Sequence, residues 1–151
     1  MHLNGEDVRA LHYARGHTDG DSVVFFTNSK VVHMGDDFVT YGLPFVDAAS
    51  GGSVLGLVQN LDAVLSALPD DVKVIPGHGP VSTKADLRRF SEMLRDCVAR
   101  VDAARRAGRS LAEIQQENVL AAHDALGQGF IKPRDWIAQI HGEVEAAPAP
   151  R

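Results

Sequence analysis

One cysteine, Cys97, in 151 residues excludes an internal disulfide and any cysteine-rich zinc cluster. A chain so poor in thiols fits a reducing compartment, and any metal it holds must rest on histidine and carboxylate. Basic side chains are outnumbered, 15 against 20, and the formal charge of −5 gives no electrostatic reason to bind nucleic acid or an anionic membrane surface. A small-molecule ligand fits better. No run is long and apolar enough to cross a bilayer. The opening residues "MHLNGEDVRALHYARGH" lack a basic segment followed by an apolar one, so no signal peptide is expected and the cytoplasm is the expected location. What remains is 44% hydrophobic and 23% charged, the balance of an ordinary globular domain, and the length suits a single domain over 1–151.

The first third reads as strands. "DVRALHY" (7–13) alternates apolar and polar residues, "SVVFFT" (22–27) is β-branched and aromatic, and "KVVHM" (30–34) follows across "NS", which together predict an antiparallel meander. "SVVFF" has no polar face, so cover on both sides is expected. Residues 35–52, with Phe38, Tyr41 and Phe45, predict a long structured loop. Ser53 is a natural N-cap for a helix whose stripe runs through Val54, Leu57, Leu61, Val64 and Leu68 until Pro69 stops it. "DVKVIP" (71–76) is a strand ending in the tight turn "GHGP" (77–80). Thr83 with Asp86 forms a capping box for a helix to about Ala107, in which Cys97 takes a buried position, and "SLAE" (110–113) forms a second box. "NVLAAHDAL" is expected to add a helical stretch, Pro133 opens a last helix carrying Trp136, Ile137 and Ile140 in its core, and 145–151 reads as a flexible tail.

Three polar stretches fall at strand ends: "GHTDGD" (16–21), "HMGDD" (33–37) and "PGHGP" (76–80). Glycines beside the histidines and aspartates let backbone approach closely, and neutral imidazole with carboxylate is the donor set that suits zinc, iron or manganese at an open hydrolytic site. A histidine at a strand end is also a common hydrogen-bonded surface residue. The residues alone therefore leave metal binding and a plain turn-forming role both open.

In order and spacing, "GHTDGDSVVFF", "VVHMGDD" and "VIPGHGP" followed by a capped helix resemble the C-terminal half of the metallo-β-lactamase superfamily of metallo-hydrolases, over residues 1 to about 107. The resemblance implies an α/β fold, half of an αββα sandwich with a mixed sheet covered by helices, extended here by C-terminal helices over 108–144. It implies metal ligands His17, Asp36 and His78, with Asp36 bridging two ions and orienting the nucleophile. Thr18 and Asp21 follow as residues that orient ligands and turn. The implied cofactor is one or two Zn2+ ions, or iron or manganese, and the implied chemistry is hydrolysis of an ester, lactone, lactam or phosphoester by metal-activated hydroxide. His33 is read either as a group orienting Asp36 or as a satisfied core histidine. Phe38, Tyr41 and Phe45 are candidates for lining a substrate pocket, with loop packing or subunit contact as the alternative. His12 is read as a sheet-face residue, His2, His123 and His141 as solvent-facing or helix-packing, Asp19 as exposed, and Asp37 as the start of the loop.

The family's principal motif, His-x-His-x-Asp-His, has no counterpart in this sequence. Three consequences compete. Two copies could pair through the open sheet face and complete the sandwich as a homodimer. Alternatively the missing half is a separate chain, or was lost through an internal start at Met1, and this is an inactive half or subunit. In the third reading the fold serves as a non-enzymatic binding module.

Overall fold

In the computed structural model, whose described residues run from 1 to 147, one six-stranded sheet carries all the helices on one side. The strands are β1 (His2–Leu3), β2 (Glu6–His12), β3 (Ser22–Phe26), β4 (Val31–His33), β5 (Lys73–Ile75) and β6 (Ser82–Thr83), and they lie in sequence order. Asn4 and Gly5, both at positive φ, make the tight β1–β2 hairpin. The expected meander is present: β2 to β4 pair antiparallel, with Val8 opposite Phe26 and Val24 opposite His33. β5 returns parallel to β4, with Val32 opposite Val74, after a crossover through helix α1 (Val54–Ala67). The sheet is mixed, as anticipated.

Side chains alternate across the pleat, so the register sorts the strands into two faces. Val23, Val32 and Val74 are fully buried, under a helical layer built from α1, α2 (Lys84–Arg106) and α4 (Pro133–Ala146). Leu57, Leu61, Leu87, Leu94, Val101, Trp136, Ile137 and Ile140 complete that core, and Cys97 lies buried within it. The opposite face carries Val8, Val24, Phe26, Val31, His33 and Ile75, all only half-buried. The expectation that "SVVFF" is covered on both sides is therefore corrected. Helices cover one face, the other stays open, and no second sheet exists among the described residues.

The helix boundaries follow the predicted caps. Ser53 accepts from the Gly56 N–H, and complete capping boxes join Thr83 to Asp86 and Ser110 to Glu113 at the starts of α2 and α3 (Leu111–Gln116). The helical stretch expected over "NVLAAHDAL" is a 3₁₀ helix, Ala121–Gln128. α4 continues to Ala146, so the predicted tail is helical at 145 and 146; positions 148–151 lie outside the described residues. No helix among the described residues is long and apolar enough to cross a membrane.

A single carboxylate ties the C-terminal helix to the first. Glu143 of α4 accepts from Ser53 Oγ at 2.7 Å and from the backbone N–H groups of Val54 and Leu55 at 2.8 and 3.1 Å. These are N–H groups that a helix start leaves without intrahelical partners, and a negative charge there also complements the helix dipole. Glu143→Ala should lose on the order of 2 kcal/mol of stability because it orphans part-buried donors. Glu143→Gln should fall between, and the urea midpoints of the three proteins check the order.

Candidate functional site

The strand directions bring the three polar stretches together. β4 and β5 are parallel, so the turns after them, bearing Asp36 and His78, emerge side by side. β3 runs antiparallel to β4 and starts at that same edge, which puts the preceding His17 beside them. A parallel bridge between Val39 and His78, and the Thr40 N–H donating to the His78 carbonyl at 3.1 Å, lock the two turns to each other.

Asp36 stands between the two imidazoles. Its Oδ2 is 3.6 Å from His17 Nε2 and its Oδ1 is 3.4 Å from His78 Nε2. Gly77 permits this approach: a Cβ there would sit 2.0 Å from Asp36 Oδ1 and 2.7 Å from the Gly35 backbone. His17 Nδ1 is 2.8 Å from the Phe45 carbonyl, which only accepts, so Nδ1 carries a proton and the ring turns Nε2 toward Asp36.

The two separations are long for hydrogen bonds but suit ligands of a shared ion. Metal–ligand bonds of about 2.0–2.1 Å at a tetrahedral angle place neighbouring donors roughly 3.3–3.5 Å apart. An ion beside Asp36 would be held by its carboxylate and the nearer imidazole, His17 or His78, and the Nδ1–carbonyl bond of His17 is the orienting contact that metal-bound histidines usually have. Each ion so placed has only two protein ligands. Among the described residues no group of three or more His, Cys, Asp or Glu side chains is arranged to hold a metal, so these three side chains do not by themselves make a complete metal site.

The surrounding residues divide by what they touch. Asp21 accepts from the Thr18 N–H and Oγ–H at 2.8 and 2.7 Å, which closes the "GHTDGD" turn without touching either imidazole. His33 accepts from the Gly35 N–H at 3.1 Å through Nδ1 and so braces the turn that carries Asp36. Tyr41 and Phe45 line a pocket of about 200 Å3 with His17, Asp36, His78, Val39 and Phe130. Phe38 is not part of it. Its ring is 2% exposed and packs edge-on against Phe90 of α2, so this pocket assignment is corrected: apolar burial under the helices outweighed proximity in sequence. His12 is exposed on the sheet, while His2 and His123 pair with Asp7 and Asp96.

Two residues gain a role that sequence reasoning missed. Phe130 joins the pocket from beyond α3, and an exposed aromatic between glycine and lysine-bearing loops was its only signal. Asp37 does not simply begin the loop. It is 1% exposed, accepts from the His17 N–H at 3.0 Å through Oδ1, and its buried Oδ2 meets no donor among the described residues. Burial pushes its carboxyl up to about 7, the His17 N–H opposes this, and the nearby Asp21 carboxylate adds to the rise. The adjacent aspartates thus turn opposite ways, Asp36 to the pocket and Asp37 to the interior.

No protein-family model matches the chain, and no curated protein matches it. Solved structures do. A metallo-β-lactamase from Pontibacter korlensis superposes with a TM-score of 0.55 at 17% identity, over 64% of this chain and 45% of that one. DIM-1 metallo-β-lactamase matches with a TM-score of 0.52 at 20% identity, over 62% and 43% of the two chains. The B3 metallo-β-lactamase BLEG-1 matches with a TM-score of 0.51 at 20% identity, over 62% and 44%. Over that shared portion the chain has the metallo-β-lactamase fold, and it spans less than half the length of these neighbours.

Asp37 generates a test by pH. A carboxyl raised from 3.8 to about 7 stabilises the fold through its protonated form, an effect fully present below about pH 4 and lost as pH rises through 7. Asp37→Asn keeps an acceptor for the His17 N–H and removes the titration. Urea unfolding should show the wild type losing on the order of a few kcal/mol relative to the variant between pH 4 and 8, and a pH-independent difference would refute the assignment.

Proposed function

We propose that the chain is the ligand-bearing half of a metal-dependent hydrolase that acts on an ester, lactone, lactam or phosphoester, with the sandwich completed by a second copy. The observation that carries this reading is the position of Asp36, one oxygen 3.6 Å from His17 Nε2 and the other 3.4 Å from His78 Nε2. Zinc is the ion the donor set suits best, with iron or manganese acceptable to the same ligands. A divalent ion held there supplies Lewis acidity, which polarises the substrate oxygen and acidifies water.

The chain's own residues do the positioning. Phe45 holds the Nδ1 proton of His17, Asp37 fixes its backbone, and Thr18 with Asp21 keeps the turn rigid. Asp36 is part-exposed at the pocket, where its free lone pairs accept a hydrogen bond from the attacking water and orient it. In ester hydrolysis the acyl C–O bond breaks, the water hydroxyl joins the acyl carbon, and its proton goes to the leaving oxygen.

The open sheet face supports completion by a second copy. It is largely apolar and half-buried, with Lys73 beside Val31, and runs through His33 and Ile75 into the turns bearing Asp36 and His78. A layer over it would bury that surface and could place further donors beside His17, Asp36 and His78, and isologous pairing is the commonest way to supply such a layer. The short span relative to the structural neighbours favours a second reading, an inactive half that needs a separate chain carrying the remaining donors.

Solution mass and metal analysis separate these readings. The homodimeric hydrolase predicts a dimer that binds zinc, loses at least tenfold in zinc affinity on His17→Ala or His78→Ala, and becomes monomeric on Val24→Lys. A metal-free monomer would overturn it and leave the separate half. A metal-bearing dimer inert towards esters, lactones, lactams and phosphoesters, with Asp36→Ala as control, would point to a binding module.

A further inference from the structure

The pocket has a chemical bias of its own. Beyond His17, Asp36 and His78 its wall consists of Val39, Tyr41, Phe45 and Phe130, and none of the seven lining residues is a lysine or arginine. The aromatic rings meet edge to face in pairs: Phe45 with His17 at 5.7 Å, Phe45 with Phe130 at 6.2 Å, and Tyr41 with His78 at 5.6 Å. Such rings present apolar faces and weakly polar edges, a surface that receives a flat or short apolar group. With only about 200 Å3, the pocket lies below the usual 300–1,000 Å3 of drug-sized sites and admits a fragment-sized group.

Phe130 is the outermost part of this wall and the least supported by packing, at 77% exposure. Its backbone is nevertheless held. Lys132 Nζ donates to the carbonyls of Gly127 and Gly129 on either side of Gln128. Gly42 lies so close to this segment that a Cβ would sit 2.6 Å from the Leu126 carbonyl oxygen. A large apolar ring on an anchored segment, with little else to pack on, is a surface that awaits an apolar partner.

We propose that this pocket receives the uncharged, apolar part of a small acyl substrate, a short alkyl chain or a single aryl ring, and that Phe130 from the C-terminal segment is its specificity-determining residue. The inference rests on the hydrolase reading for the word substrate, but not for the binding itself. A charged group on that part of the molecule would be desolvated against Val39, Tyr41, Phe45 and Phe130 with no lysine or arginine among the lining residues to pair with it, on a chain that already carries −5.

Two measurements test it on the full chain. In the first, metal-free protein is titrated with N-methylbenzamide while the ring resonances of Tyr41, Phe45 and Phe130 are followed by NMR. A millimolar Kd is expected, weakened at least fivefold in Phe130→Ala, with Phe130→Leu recovering part of the loss and the thermal midpoint unmoved. In the second, zinc-loaded protein is given 4-nitrophenyl butyrate and 4-nitrophenyl hemisuccinate, acyl groups of similar length that differ in a terminal carboxylate. The butyrate should be preferred at least tenfold in kcat/KM, and Phe130→Ala should erode that preference through KM. Equal binding by wild type and Phe130→Ala, or preference for the hemisuccinate, overturns the inference. Failure to take up zinc with NMR binding intact would instead count against the hydrolase reading and leave the apolar subsite standing.

Discussion

Everything at the candidate site depends on the parallel pairing of two three-residue strands. Val31, Val32 and His33 lie beside Lys73, Val74 and Ile75, and this register sets the Asp36 turn next to the His78 turn, where the Val39–His78 bridge then locks them. Strands this short are held less by their own ladder than by what packs on them. Val32 and Val74 are fully buried beneath the helices, and slippage by one residue would exchange them for the residues of the open face. The helical layer thus acts on the site at a distance, through register.

The open face follows from the same alternation. Val8, Val24, Phe26, Val31 and Ile75 form an apolar surface on a protein whose helices all lie on the other side. In an ordinary domain such a face is buried against a second layer. In the proposed reading, a second layer on that face would both bury its apolar residues and stand beside His17, Asp36 and His78.

Much of the fold was legible locally. Ser53, Thr83 with Asp86, and Ser110 with Glu113 announced helix starts that the structure places at those residues. "SVVFF" and "KVVHM" announced strands within a residue or two of their observed ends. Other features were not local. Phe38 and Phe45 look alike in sequence, yet one fills the core beside Phe90 and the other lines the pocket, a choice made by a loop with neither helical nor strand period. The resemblance singled out Asp36 and left Asp37 as a loop residue; only the 3₁₀ turn Gly35–Asp37 shows one carboxylate part-exposed at the pocket and the other buried.

The sequence by itself determined the element types, the caps, the donor chemistry of His17, Asp36 and His78, and the absence of a thiol-based metal site, since these depend on residue identity and near-neighbour spacing. Tertiary structure decided how deeply each aspartate is buried, which aromatics line the pocket, that Phe130 reaches it across more than fifty residues from His78, and that one sheet face is only half-buried. Those outcomes depend on strand direction and on competition for buried volume, and neither is encoded in the spacing of a single stretch of chain.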